Sequence, residues 1–422
     1  MEMGIKDHWW FIMKRIWLVY PYGNIEGEGG RDSRFTIFGK ELSQNGFSIC
    51  WWTANFSHIE KRFRCKGWKK ISINCNFETV LIPSQSYKRN ISFRRILFEK
   101  KYKNSLKKGF KKCLFKPDLI VVASTGIFNA FEPCYSFSKR NNIPMIYDIM
   151  DIPLIENYMK ENHKIIAPLA KIIMSLERRR EKKFFKCIYG ITALGKNQLD
   201  YAIRRAYNRP IHTALVYNGN DVTELRNRIT SASGSLKINK DEGWIWCIYS
   251  GSLGPQYDIE TIIECSRICD RNGKKIKFVI AGGGPQASIL KEESKSINCL
   301  EYVGFLNHDQ LADLYSMGDI GLIAIKAFST CDMPDKFYDY CASGLAILNT
   351  LKGEVKDYIE EYELGLQYCA GNPIDLYDKI AILTKDNLIE KYKKNSYKIG
   401  DQFDVKTQVS KLTTMIKTIL EN

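Results

Sequence analysis

The sequence predicts an α/β chain of two doubly wound, parallel-sheet domains, and three observations carry that reading. Short apolar strands alternate with segments of helical periodicity along most of the chain. Three glycine-rich loops, at 23–30, 251–254 and 282–284, directly follow strands. Residues 219–243 then change to linker composition, with Thr230-Ser231-Ala232-Ser233-Gly234-Ser235 at their centre, and the strand–loop–helix pattern starts again after them. The expected division is a first domain over 1–218, a linker over 219–243, a second domain over 244–400, and a closing helix over 401–422 free to cross back to the first domain. Two such domains leave a cleft between them, where ligands commonly bind.

Taken in order, Met1 to Ile12 is an aromatic-rich start, and Ile16 to Tyr20 is the first strand. It enters the loop Gly23-Asn24-Ile25-Glu26-Gly27-Glu28-Gly29-Gly30. The next helix carries Phe35, Phe38 and Leu42 on one side and stops at Gly46, and Phe47 to Trp52 is the second strand. A dinucleotide site would want G-x-G-x-x-G and an acid ending the second strand; here the spacing differs and Phe47 to Asn55 contains no carboxylate. Gly29 and Gly30 still let backbone N–H groups approach a phosphate, with Arg31 and Arg34 adding charge, although a plain surface loop has the same composition. Leu119 to Ala123 and Met145 to Ile149 are further strands. Asp151 follows the latter, either as a site residue at a strand end or as a helix cap. Ile165 to Lys186 reads as a long helix, and Tyr189 to Ala193 and Thr213 to Tyr217 as the last strands of this half. The second half has strands at Trp244–Ser250, Ile276–Ala281, Leu300–Leu306, Ile320–Ile325 and Ala346–Asn349. A helix is expected at Ile259–Cys269, and an amphipathic one at Asp404–Leu420.

The most informative stretch is Cys331 to Leu348. Pro334 suits the first turn of a helix, Phe337, Tyr340 and Cys341 recur at helical spacing, and Gly344 ends it. Lys336 and Asp339, three residues apart, share one face near the N-terminus, where free N–H groups and the helix dipole favour an anion. Phosphate-seeking donors, an ammonium and a carboxylate able to accept from a ribose diol are what a nucleotide-sugar needs. An exposed i,i+3 ion pair would have the same spacing.

Composition narrows the classes. No run of eighteen uncharged apolar residues occurs, and charges interrupt the N-terminus too early for a signal peptide. Thirteen scattered cysteines without a C-x-x-C pair point to reduced thiols in a cytosol, and five unpaired histidines argue against a metal site. The net charge of +16 concentrates between Lys88 and Lys116, where Glu99 is the only acid and Phe93, Ile96, Leu97 and Phe110 interleave with the bases. Such a segment fits an anionic membrane surface, a nucleic acid backbone, or a merely solvated basic loop.

Tyr249-Ser250-Gly251-Ser252-Leu253-Gly254, Phe278 to Pro285, Tyr302-Val303-Gly304-Phe305-Leu306 and Met333 to Gly344, in that order and spacing, resemble family-four retaining glycosyltransferases of the GT-B fold. Gly29 to Arg34 and Phe56-Ser57-His58 resemble the N-terminal pattern of bacterial members that build surface polysaccharides such as capsule and lipopolysaccharide. Asn218-Gly219 resembles the family's hinge. The resemblance implies a nucleotide-sugar in the second domain and a saccharide or lipid-linked acceptor in the first, with retention of configuration and no metal or other cofactor. It also implies cytoplasmic residence at the membrane's inner face, and no nucleic acid partner. Donor contacts are expected from Gly29, Gly30, Arg34, Ser252, Gly283, Val303, Gly304, Pro334, Lys336 and Asp339; the expected catalytic residues are Lys336, carrying charge on the leaving diphosphate, and Asp151, contacting the reacting sugar. Two departures stand out: the family's pair of glutamates is Cys331 and Asp339 here, and its usual basic pair is missing from Ser252 to Gln256. Lys336 resembles the substitute cation of members with a proline-x-lysine variant. The alternatives are a nucleotide-sugar epimerase of GT-B architecture and a basic nucleic-acid-binding protein.

Overall fold

The structure, a computed structural model, describes residues 13–421 except 29–31, 91, 124–129, 153–174, 176–178, 180–181, 207–210, 232–233, 328 and 330. The aromatic start, Gly29, Gly30, Arg31 and most of the expected helix Ile165–Lys186 therefore lie outside the described residues. The chain divides into two units, Met1–Val216 with Val409–Asn422, and Tyr217–Gln408.

Among the described residues the first unit has eight strands: β1 (Arg15–Val19), β2 (Ser48–Ala54), β3 (Lys69–Asn74), β4 (Phe77–Ile82), β5 (Leu119–Ala123), β6 (Met145–Ile149), β7 (Ile188–Ala193) and β8 (His212–Leu215). They run in the order β3-β4-β2-β1-β5-β6-β7-β8, parallel except for β3 against β4. Because strand side chains alternate between faces, Trp17, Val19, Trp52, Ile120 and Val122 join one core layer while Ile16, Leu18, Leu119 and Val121 join the other. The first layer is covered by Phe98, Tyr102, Leu106 and Phe110 of the helix Phe93–Lys112. The second is covered by Phe35, Phe38 and Leu42 of Arg34–Gln44 and by Val409, Leu412 and Ile416 of the closing helix, Val405–Glu421.

Three features depart from the sequence reading. The hairpin β3–β4 was not anticipated. The basic segment is a 20-residue helix started by Ser92, whose side chain accepts from Arg95 N, and it buries its apolar side rather than lying as a loop. The expected linker at 219–243 holds a helix, Val222–Thr230, because Asp221 accepts from Glu224 N and caps it.

The second unit has β9 (Ile245–Ser250), β10 (Ile276–Ala281), β11 (Leu300–Gly304), β12 (Ile320–Ile323), β13 (Ala346–Asn349) and β14 (Gly365–Gln367), all parallel, in the order β11-β10-β9-β12-β13-β14. The order reverses between β9 and β12, and open α/β sheets bind ligands at the carboxyl ends of strands beside such a reversal. Before β13 runs the helix Asp335–Ser343, which buries Phe337, Tyr340 and Cys341 and ends at Gly344 with φ 68, a left-handed cap that glycine adopts without strain.

Candidate functional site

The loops after β9, β10 and β11 are tied together by their backbones. Gly251 N donates to Ala281 O (3.0 Å), Leu253 N to Gly283 O (2.9 Å) and Gly282 N to Gly304 O (2.7 Å). A Cβ on Gly282, whose φ is 142, would fall 1.8 Å from the Gly251 carbonyl oxygen, so only glycine lets these loops close. Ser252 and Gly283 stand exposed on this surface, Val303 and Gly304 are half-buried, and Pro334 is buried as the N-cap of the helix that carries Lys336. A methyl built on Gly251 would come 3.5 Å from Lys336 Nζ, so the lysine reaches the first of these loops.

Lys336 is the least ordinary residue of the unit. It is 8% exposed, and its ammonium lies over the rings of Tyr249 (4.6 Å) and Tyr257 (4.5 Å). It makes no hydrogen bond or ion pair with any described residue. Burial pushes its pKa down to about 8, against the pull of Cys331, Asp335 and Asp339. Two aromatic faces hold the cation without neutralising it. Asp339 is half-buried and already engaged: Asn220 Nδ2 donates to Oδ1 (2.7 Å), and the Tyr315 hydroxyl donates to Oδ2 (3.4 Å) while sharing a hydrogen bond with Ser250 Oγ (2.9 Å). A carboxylate has acceptor sites beyond these two. The expected exposed ion pair is therefore not what this helix presents. Tyr257, Tyr315 and Asn220 were not singled out in the sequence as site residues, and Tyr249 only as the start of a matching stretch, since no local spacing places them around Lys336 and Asp339.

In the first unit Arg34 corrects the expectation placed on it. It is buried, with Nε and Nη2 each 2.8 Å from the Asp148 carboxylate and Nη1 donating to Val216 O at 2.7 Å. Thr192 Oγ1 also donates to Asp148 (2.6 Å). A guanidinium so enclosed, its charge paired with a buried carboxylate, ties strands to a helix rather than facing a phosphate. Asp151 does stand at a strand end, just past β6; its side chain is accessible, yet enough protein surrounds it to raise its carboxyl above the usual range. Tyr20 and Tyr22 follow β1, His58 follows β2 and Tyr87 follows β4, so these groups share that carboxyl edge with Asp151.

Among the described residues no group of three or more histidine, cysteine, aspartate or glutamate side chains is placed to hold a metal, and no helix is long and apolar enough to cross a membrane. None of the thirteen cysteines, all among the described residues, forms a disulfide.

Residues 235–399 match the family model described as glycosyl transferases group 1. Among solved structures, the chain is similar to a sucrose-phosphate synthase from Thermosynechococcus elongatus (TM-score 0.69, 14% identity, 97% of this chain and 99% of that one). It is also similar to Anabaena HepE in complex with UDP (0.65, 13%, 96% and 100%) and to a trehalose 6-phosphate synthase from Burkholderia multivorans (0.67, 13%, 96% and 97%). No curated protein matches the chain by sequence. The fold is thus that of the GT-B glycosyltransferases, and the second unit carries the group 1 sequence pattern.

Proposed function

We propose that this chain is a glycosyltransferase that moves a sugar from a nucleotide-diphosphate donor, with retention, to a growing surface polysaccharide on a lipid carrier. The observation that carries the donor half is Lys336, a buried ammonium without an anionic partner among the described residues, set where the sheet order reverses. Burying a charge costs several kcal/mol unless something pairs with it, and a diphosphate supplies that partner. As the glycosidic bond breaks, negative charge grows on the leaving diphosphate. Lys336, the amides of the glycine loops and the exposed Ser252 would stabilise it, each such donor contributing about 3 kcal/mol in the transition state. Asp339, held by Asn220 and Tyr315, would accept from the ribose diol.

The acceptor half rests on the first unit. The helix Phe93–Lys112 exposes Phe93, Ile96 and Leu97 in its first turns together with Lys100, Lys101, Lys108, Lys111 and Lys112, and Leu114 and Phe115 stand exposed just past its far end. Exposed apolar side chains among lysines suit peripheral binding at an anionic bilayer. The test is thermal unfolding with a panel of nucleotide-sugars, followed by transfer assays with the one that binds. Donor at a hundred times its Kd should stabilise the protein by about 2.7 kcal/mol. A panel that leaves the melting temperature unmoved, with no transfer, would overturn the proposal. Tight nucleic-acid binding with a steep salt slope would replace it.

A further inference from the structure

The loop after β2 is closed by Ser57 N donating to Arg62 O (2.8 Å) and Lys61 N to Ser57 O (3.0 Å). Lys61 has φ 55, a left-handed conformation that costs a non-glycine residue energy and tends to mark functional loops. That conformation sets its ammonium 4.6 Å from the centre of the Tyr87 ring and 2.6 Å from Asn90 Oδ1. The main-chain oxygen of the same Asn90 accepts from Arg95 Nη1 at 3.0 Å, so one residue brackets both cations. Arg95 lies over the Tyr22 ring (5.1 Å), with Glu99 Oε1 3.8 Å behind it. Glu99 faces inward, 5% exposed, and accepts from the Tyr22 hydroxyl at 2.8 Å; it anchors Arg95 but cannot reach a ligand. His58 Nδ1 is hydrogen-bonded to the Tyr87 hydroxyl, and burial followed by the charges of Lys61 and Arg95 pushes its pKa down to about 4. The imidazole is therefore neutral at pH 7 in a positive field. Lys88, Arg89 and Arg94 stand exposed nearby in the chain, and Asp151 is the accessible acid whose charge acts on the same Arg95. Within two residues of Lys61 or Arg95 in the chain, Ile59 (65% exposed), Phe93 (72%) and Ile96 (46%) offer apolar side chains for a rim.

We infer that this edge of the first unit binds a phosphate ester on the acceptor, held by Arg95 and Lys61 beside His58, with the apolar rim taking the chain of a lipid carrier. The inference deepens the glycosyl-transfer reading and rests on it. Lys61 and the outward side of Arg95 supply charge-assisted donors to the phosphate, and His58 adds a hydrogen bond through Nε2. Asp151 is left to accept from a sugar hydroxyl.

The experiment follows the imidazole of His58 by NMR through a pH titration of the full chain, its signal assigned with His58→Gln. Inorganic pyrophosphate is the soluble probe; phosphatidylcholine vesicles with and without a polyprenyl monophosphate are the anchored one. A bound anion favours imidazolium, so the His58 pKa should rise by roughly one unit or more. A rise with the lipid phosphate alone assigns the site to a lipid-linked acceptor, and a rise with pyrophosphate shows that a soluble phosphate suffices. The response should vanish in Arg95→Gln with Lys61→Asn, asparagine being tolerant of the left-handed conformation, while thermal stabilisation by the nucleotide-sugar stays as in the parent. An unmoved His58 in both arms, or an undiminished response in the double variant, overturns the inference. If His58 responds but no nucleotide-sugar binds, it is the transfer reading that fails.

Discussion

Replacing Lys336 with methionine should make the unliganded protein more stable while removing its activity. Burial holds the ammonium at a pKa of about 8 against an ordinary 10.5, which corresponds to about 3 kcal/mol of destabilisation at pH 7, an upper figure for a well-packed isostere. The sign follows from proton binding. Between pH 8 and 10.5 the unfolded chain binds more protons at this residue than the folded one, so the parent gains stability as pH rises through that window and the variant does not. Urea unfolding of the two proteins at pH 7 and pH 10 should show a gap that is wide at the lower pH and nearly closed at the higher. Turnover should fall by roughly two to three powers of ten, as on loss of a transition-state donor. Donor affinity of the parent should weaken above pH 8 by up to about tenfold per pH unit, because the bound diphosphate needs the protonated lysine. A variant equal to the parent in stability and turnover, or donor affinity flat from pH 7 to 9, would refute the assignment of Lys336 to a ligand anion.

Asp339→Ala should chiefly raise the donor KM, by about 1.5–3 kcal/mol in binding terms, because a ribose diol is held equally before and during reaction; steady-state kinetics separate this from a loss of kcat. Gly282→Ala should damage the donor site, since its Cβ would meet the Gly251 carbonyl oxygen at 1.8 Å; nucleotide-induced thermal stabilisation should shrink while circular dichroism keeps its native form. Replacing both Phe93 and Leu97 with glutamate should abolish flotation with anionic vesicles and leave transfer to a soluble acceptor intact, and flotation equal to the parent's would rule this helix out as the membrane face.

What the sequence made legible was whatever a local pattern encodes. Strands β1, β5 and β9 are continuous apolar runs because parallel strands are covered on both sides, and the helix Asp335–Ser343 announced itself through Pro334, its apolar spacing and Gly344. The hairpin β3–β4 escaped because β3 is half exposed and mixes lysine and asparagine into its alternation. The helix Phe93–Lys112 was hidden by its charge, although Phe98, Tyr102, Leu106 and Phe110 follow helical spacing along its buried side. At the site, Lys336 and Asp339 could be found from their three-residue separation. Their partners Tyr249, Tyr257, Tyr315 and Asn220 come from four separate segments and meet only when the sheet has formed.

Arg34 and Lys336 show why charge type and loop context were not enough, and what distinguishes them in the folded chain. Both are cations at the start of a helix beside a glycine loop, and both are almost wholly buried, at 6% and 8% exposed. Arg34 has a charge partner and three acceptors within its own unit: both oxygens of Asp148 and the Val216 carbonyl. Its charge is settled on folding, and removing either partner should cost about 3–5 kcal/mol of stability because the other is left buried alone. Thus Arg34→Met and Asp148→Asn should each unfold at clearly lower urea, in the opposite direction to Lys336→Met. Lys336 has two aromatic faces and no acceptor among the described residues; on the proposed reading its charge would be settled by the donor's diphosphate. A buried cation that folding has already satisfied is structural, whereas one that folding leaves unsatisfied is destabilising, and binding an anion is what offsets that cost.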